Sequence, residues 1–104
     1  MSDDRIAALR RMLERNPSDA RLRFGLAAEH EKRGEWTAVV EELRAYLAAT
    51  EDKGNAWGRL GHALRQLGRD DEAREAYRTG AQAAHRHGHP SMAAEFEEIL
   101  EDWE

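Results

Sequence analysis

The fold is decided in residues 54–77, GNAWGRLGHALRQLGRDDEAREAY. Trp57, Leu60 and Gly61, and then Ala73 and Tyr77, recur at intervals of three and four, which is a helical stripe. Gly68 separates the two stripes, where a helix has to end in a left-handed conformation. Offsetting the chain by 34 residues brings Leu26 onto Leu60, Ala27 onto Gly61, Gly34 onto Gly68 and Leu43 onto Tyr77. Each pairing joins residues of like physical role. Small residues fall where helices approach closely, and glycines fall where helices stop. The chain therefore contains an internal helical repeat.

Punctuation outside this stretch predicts six helices. The first runs over residues 3–15, with acids at its positive end and Asn16-Pro17 closing it. Ser18 is the expected N-cap of a second helix that ends before Gly34. A third is expected over 36–49, a fourth over 55–67 ended by Gly68, and a fifth over 70–87. Gly88 breaks the fifth, and Pro90 suits the first turn of a sixth helix over 90–103. The connections are short, so neighbouring helices are expected to run antiparallel. No single pair can bury its own apolar face. The expectation is an all-α, single-domain α-solenoid spanning residues 1–104.

Composition agrees with that class. Val39 and Val40 are the only valines and Ile6 and Ile99 the only isoleucines, whereas Ala, Leu, Arg and Glu dominate. Cysteine is absent, which removes disulfides, thiolate metal sites and thiol nucleophiles. A formal net charge of −5 argues against a nucleic-acid partner, since phosphate binding needs a basic footprint. Residues 91–104 carry six acids and no base, while residues 59–86 are rich in arginine. MSDDR at the N-terminus does not read as a signal peptide, and no apolar run is long enough to span a bilayer. A cytoplasmic protein without membrane association is the default expectation.

Trp57, Leu60, Gly61, Ala73 and Tyr77 together resemble the W-x2-L-G … A-x3-F/Y signature of the tetratricopeptide repeat. The resemblance places one repeat at residues 20–53 and another at 54–87, flanked by single helices at 3–15 and 90–103. Pro17 stands where a preceding repeat would close, and Leu9, Met12 and Leu13 align with Leu43, Tyr46 and Leu47. Phe96, Ile99, Leu100 and Trp103 imitate the signature in a shifted register. Leu100 replaces the small residue, so the last helix is expected to cap the stack. Other departures are Arg23 for the tryptophan, Val39 for the small alanine and His30 for a common tyrosine. In the later repeat, Leu64 stands at that tyrosine position and Gly80 at a usual alanine.

The resemblance implies a function. In this family the first helix of each pair lines a concave groove for extended peptides or partner helices. By position the groove would hold Arg21, Phe24, Ala28 and Glu31, followed by Asn55, Gly58, Arg59, His62, Arg65 and Gln66. Arginines, a histidine and a phenylalanine in one groove suit an acidic or carboxylate-bearing peptide. The clamp of Lys and Asn by which some members hold chaperone tails is not expected here, because Phe24, Ala28 and Arg59 occupy its positions. A non-enzymatic adaptor or scaffold without cofactor follows, binding a protein or peptide, itself a monomer or weak homodimer.

Two other features compete. His85, His87 and His89 alternate along the chain and would chelate a metal if extended, although no cysteine or neighbouring carboxylate completes a ligand set. Turn histidines without metal are the simpler reading. Met92, Phe96, Ile99, Leu100 and Trp103 form an apolar stripe that suits either a core-facing cap or self-assembly through an uncovered face. No nucleophile motif, phosphate-cradling glycine loop or isolated carboxylate pair suggests catalysis.

Overall fold

The computed structural model describes residues 2–103, with side chains described from residue 5 onward. The described residues form six helices and no strand: α1 Ser2–Arg15, α2 Ala20–Lys32, α3 Trp36–Ala49, α4 Asn55–Gln66, α5 Asp70–Arg86 and α6 Pro90–Asp102. Each lies within a residue or two of its expected span. No helix among them is long and apolar enough to cross a membrane.

The 34-residue offset reappears in the backbone hydrogen bonds. After α2, Gly34 has φ +69, and the amides of Arg33 and Glu35 both donate to the His30 carbonyl at 3.1 and 3.0 Å. After α4, Gly68 has φ +74, and Leu67 and Arg69 donate to the Leu64 carbonyl at 3.2 and 2.9 Å. This six-to-one closure needs a left-handed residue just past the helix, which glycine adopts without a Cβ penalty. Val39 and Ala73 then repeat one another as donors to Glu35 and Arg69, at 3.1 and 3.0 Å.

One cap differs from expectation. Asp19, not Ser18, caps α2, with its Oδ1 accepting the Arg21 amide at 3.1 Å. The reason is the preceding turn. The Asp19 amide donates to the Asn16 carbonyl at 3.0 Å, which puts Pro17 and Ser18 at the two central positions. Ser18 is spent inside that turn, and the helix begins one residue later. At α4 the capping acceptor comes from further upstream, since Asp52 Oδ2 accepts the amides of Gly54 at 2.8 Å and Ala56 at 2.9 Å.

The helices group into two compact units, residues 1–50 and 51–104. In the first, α2 packs on both α1 and α3. Ile6, Leu13, Leu22 and Leu26 form a buried cluster with Leu9 against it, while Val39, Val40 and Leu43 are buried from α3. In the second, α5 packs on both α4 and α6. Leu60 and Leu64 of α4 are buried, as are Ala73, Ala76, Ala81, Ala83 and Ala84 of α5. So many alanines keep α5 slim enough to be covered by two helices.

Placement of α6 depends on missing side chains. A Cβ added to Gly58 would lie 2.5 Å from Phe96 Cζ, and one on Gly80 would lie 3.1 Å from Phe96 Cε2. Phe96 thus sits in a notch cut by one glycine of α4 and one of α5. Tyr77 lies beside it, ring centroids 5.7 Å apart, with Met92, Ile99, Leu100 and Trp103 packed around them. The apolar stripe of α6 faces this core.

Candidate protein-binding surface

The residues expected to line a binding face divide into those at the surface and those engaged in packing. On α4, Asn55, Arg59 and His62 follow one another at i, i+4 and i+7 and so share a face. Asn55 and His62 are exposed and Arg59 is half-buried. Gly58, expected beside them, is covered by Phe96. Arg65 is exposed, but its Cζ lies 4.1 Å from the centroid of the Trp103 ring, and Arg74 of α5 lies over the same ring at 4.8 Å. Both cations meet the C-terminal end of an acidic helix, where positive charge is favourable. Arg65 therefore helps hold α6.

On α2, Arg21 is exposed and folded onto its own cap, with Nε and Nη2 donating to the two Asp19 oxygens at 3.2 Å each. Hydrogen bonding by Arg21 holds the Asp19 carboxyl below the ordinary range. Phe24 is half-buried against Tyr46 of α3, centroids 5.1 Å apart, and Ala28 is half-buried. Leu26 and Ala27, with Leu60 and Gly61, are buried as the repeat pattern requires, and Ala73 and Tyr77 are buried too. Trp57 is half-buried.

The histidine turn is neither extended nor wholly helical. His85 lies in the last turn of α5, His87 follows as its C-cap, and His89 precedes Pro90 as the N-cap of α6. Carboxylates do lie nearby, contrary to the reading of the local sequence. His85 Nε2 is 3.4 Å from Glu97 Oε2, and His87 Nε2 is 3.6 Å from Glu51 Oε1. They arrive from α6 and from the segment before α4, outside the local sequence window. Among the described residues no three histidine or carboxylate side chains converge as a metal ligand set.

A feature missed in the sequence is a buried polar network in the first unit. Glu29 and Glu42 are each 5% exposed and His30 8%. Glu29 is paired with Arg5 at 3.0 Å and Lys32 at 3.2 Å. Glu42 is paired with Arg23 at 3.0 Å and Arg10 at 3.3 Å. His30 Nδ1 lies 2.8 Å from Glu35 Oε1, while Arg10 Nη2 lies 3.4 Å from His30 Nε2. Buried carboxylates require such partners, because an isolated ion loses its hydration without recompense. Arg23 and His30, two of the departures from the repeat signature, are members of this one network.

A shallow cleft between α5 and α6 is lined by Arg74, Arg78, Leu100 and Glu101. Its cations already have partners, Asp71 at 3.2 Å and Glu75 at 3.4 Å. A scan against protein-family models and a search of curated proteins find no match to this chain.

Proposed function

We propose that this chain is a non-enzymatic protein-interaction module of the tetratricopeptide type, and that the exposed face of α4 takes an acidic peptide segment. The observation that carries the reading is the set Asn55, Arg59 and His62 on one helical face, with Asn55 and His62 exposed. An amide, a guanidinium and an imidazole on successive turns suit backbone and carboxylate recognition together. The recurrence of turn hydrogen bonds at the 34-residue offset supports the repeat reading. Arg21, Phe24 and Ala28 are the corresponding candidates on α2, with Arg21 available to a ligand only if it leaves Asp19.

Arg65 is assigned to packing rather than recognition, which decides how the proposal is tested. Reversing Arg65 would disturb α6, so the variant of choice is Arg59→Glu combined with His62→Ala. Peptides are selected from a displayed random library against the native protein. Enrichment of acidic sequences, with at least a tenfold loss of affinity in a variant that melts like the native protein, is expected. Selection of basic or charge-neutral sequences, or unchanged affinity, contradicts the proposal.

A further inference from the structure

A single guanidinium nitrogen of α1 serves two buried groups. Arg10 Nη2 lies 3.3 Å from Glu42 Oε2 and 3.4 Å from His30 Nε2. Arginine can only donate, so in this arrangement His30 Nε2 is the acceptor. The ring proton then resides on Nδ1 and points to Glu35 Oε1, 2.8 Å away. These two contacts suit the neutral tautomer with its proton on Nδ1. His30 thereby joins the Arg5–Glu29 pair in tying the C-terminal part of α2 to α1.

Protonation of His30 reverses one half of this arrangement and strengthens the other. With a proton on Nε2 the acceptor for Arg10 is lost, and an imidazolium faces a guanidinium. On Nδ1 the hydrogen bond to Glu35 becomes charge-assisted, and that carboxylate is already held below its ordinary range by this same hydrogen bond. The charged groups facing the ring are Arg10 from α1 and Glu35 from the following turn, with Arg33 reaching it through Glu35 and Glu42 of α3 through Arg10. Arg33 lies 3.6 Å from Glu35 and competes with the ring for it. The last turn of α2 favours a positive imidazole, and Arg10 opposes it.

We infer that His30 is a proton-operated latch on α1: its protonation exchanges the Arg10 contact for a tighter Glu35 contact and loosens α1 from α2. The remaining hold on α1 is narrow. It consists of Ile6, Leu9 and Leu13 on Leu22 and Leu26, the Arg5–Glu29 pair, whose arginine side chain is largely exposed, and the Arg10–Glu42 pair. Histidine is the side chain whose ordinary charge change falls between about pH 8 and pH 5, which sets the window in which the latch is tested. This inference is independent of peptide binding by α4.

Amide hydrogen exchange of the full chain, corrected for intrinsic rates, tests it at pH 7.5 and pH 5.5. Protection of α1 is expected to fall about tenfold at the lower pH, the loss of one charge-assisted bond, while α4 and α5 are unchanged. His30→Gln presents an acceptor to Arg10 without titrating there, and it is expected to abolish the step. Arg10→Gln leaves Glu42 to Arg23 and is expected to show low α1 protection at both pH values. It serves as the second variant should the first not fold. Native α1 protection that is the same at both pH values, or a step that persists in either folded variant, overturns the proposal.

Discussion

Phe96 occupies the space that a Cβ would need on Gly58, its Cζ only 2.5 Å from that position. Helix propensity alone would make alanine at residue 58 an improvement of up to about 1 kcal/mol. Packing opposes it, because the displaced ring also abuts Gly80 and Tyr77. Gly58→Ala is therefore expected to destabilise the protein by about 1–3 kcal/mol in urea unfolding, the usual range for overpacking. Pairing it with Phe96→Leu should cost less than the sum of the single changes. Additive effects would mean that the notch does not position α6.

Trp103 ties the end of α6 to two cations and to Tyr77, whose ring lies 6.2 Å away edge-on. Trp103→Ala removes these contacts and part of the apolar cluster. A loss of about 2–3 kcal/mol is expected, less than for a fully buried tryptophan. Amide exchange should rise first in residues 97–102.

Glu42 receives Arg10 from α1 and Arg23 from α2. Removing its charge leaves two guanidiniums that are still partly exposed and can be rehydrated. Glu42→Gln is expected to cost about 1–3 kcal/mol by urea unfolding, and Glu42→Ala more, since a cavity is added. Equal stability of native protein and Glu42→Gln would show that the buried pairs contribute nothing net.

Glu35 supplies a pH dependence with a definite sign. The His30 hydrogen bond lowers its folded-state pKa from an ordinary 4.5. A lowered carboxylate stabilises the fold above pH 4.5, and that contribution is lost as pH falls through the folded value. Melting temperatures of native protein and Glu35→Gln, followed from pH 7 down to pH 2, should therefore converge at the acid end. Parallel curves would contradict the assignment.

The helix boundaries were legible because glycine, proline and the 34-residue offset act through local sequence. The Asn16–Asp19 turn escaped by one residue because Ser18 and Asp19 are both good caps, and only the turn closure separates them. The engagement of Arg65 by Trp103, 38 positions away, has no signature in either helix alone. The same holds for Phe96 and its two glycines, of which Gly80 read only as a departure from alanine. His30 and Arg23 also read as departures from aromatic positions. Their meaning came from Glu42 and Arg10 on other helices, since a buried charge is intelligible only with its partner.

The proposed function requires α4 to present a recognition face for acidic peptides. The most direct measurement is amide NMR of the labelled full chain titrated with a peptide rich in Glu and Asp from the selected set. Shifts concentrated at Asn55, Arg59 and His62, and absent with a lysine-substituted version of the peptide, are the expected result. Shifts confined to other helices, or none at millimolar peptide, would contradict it.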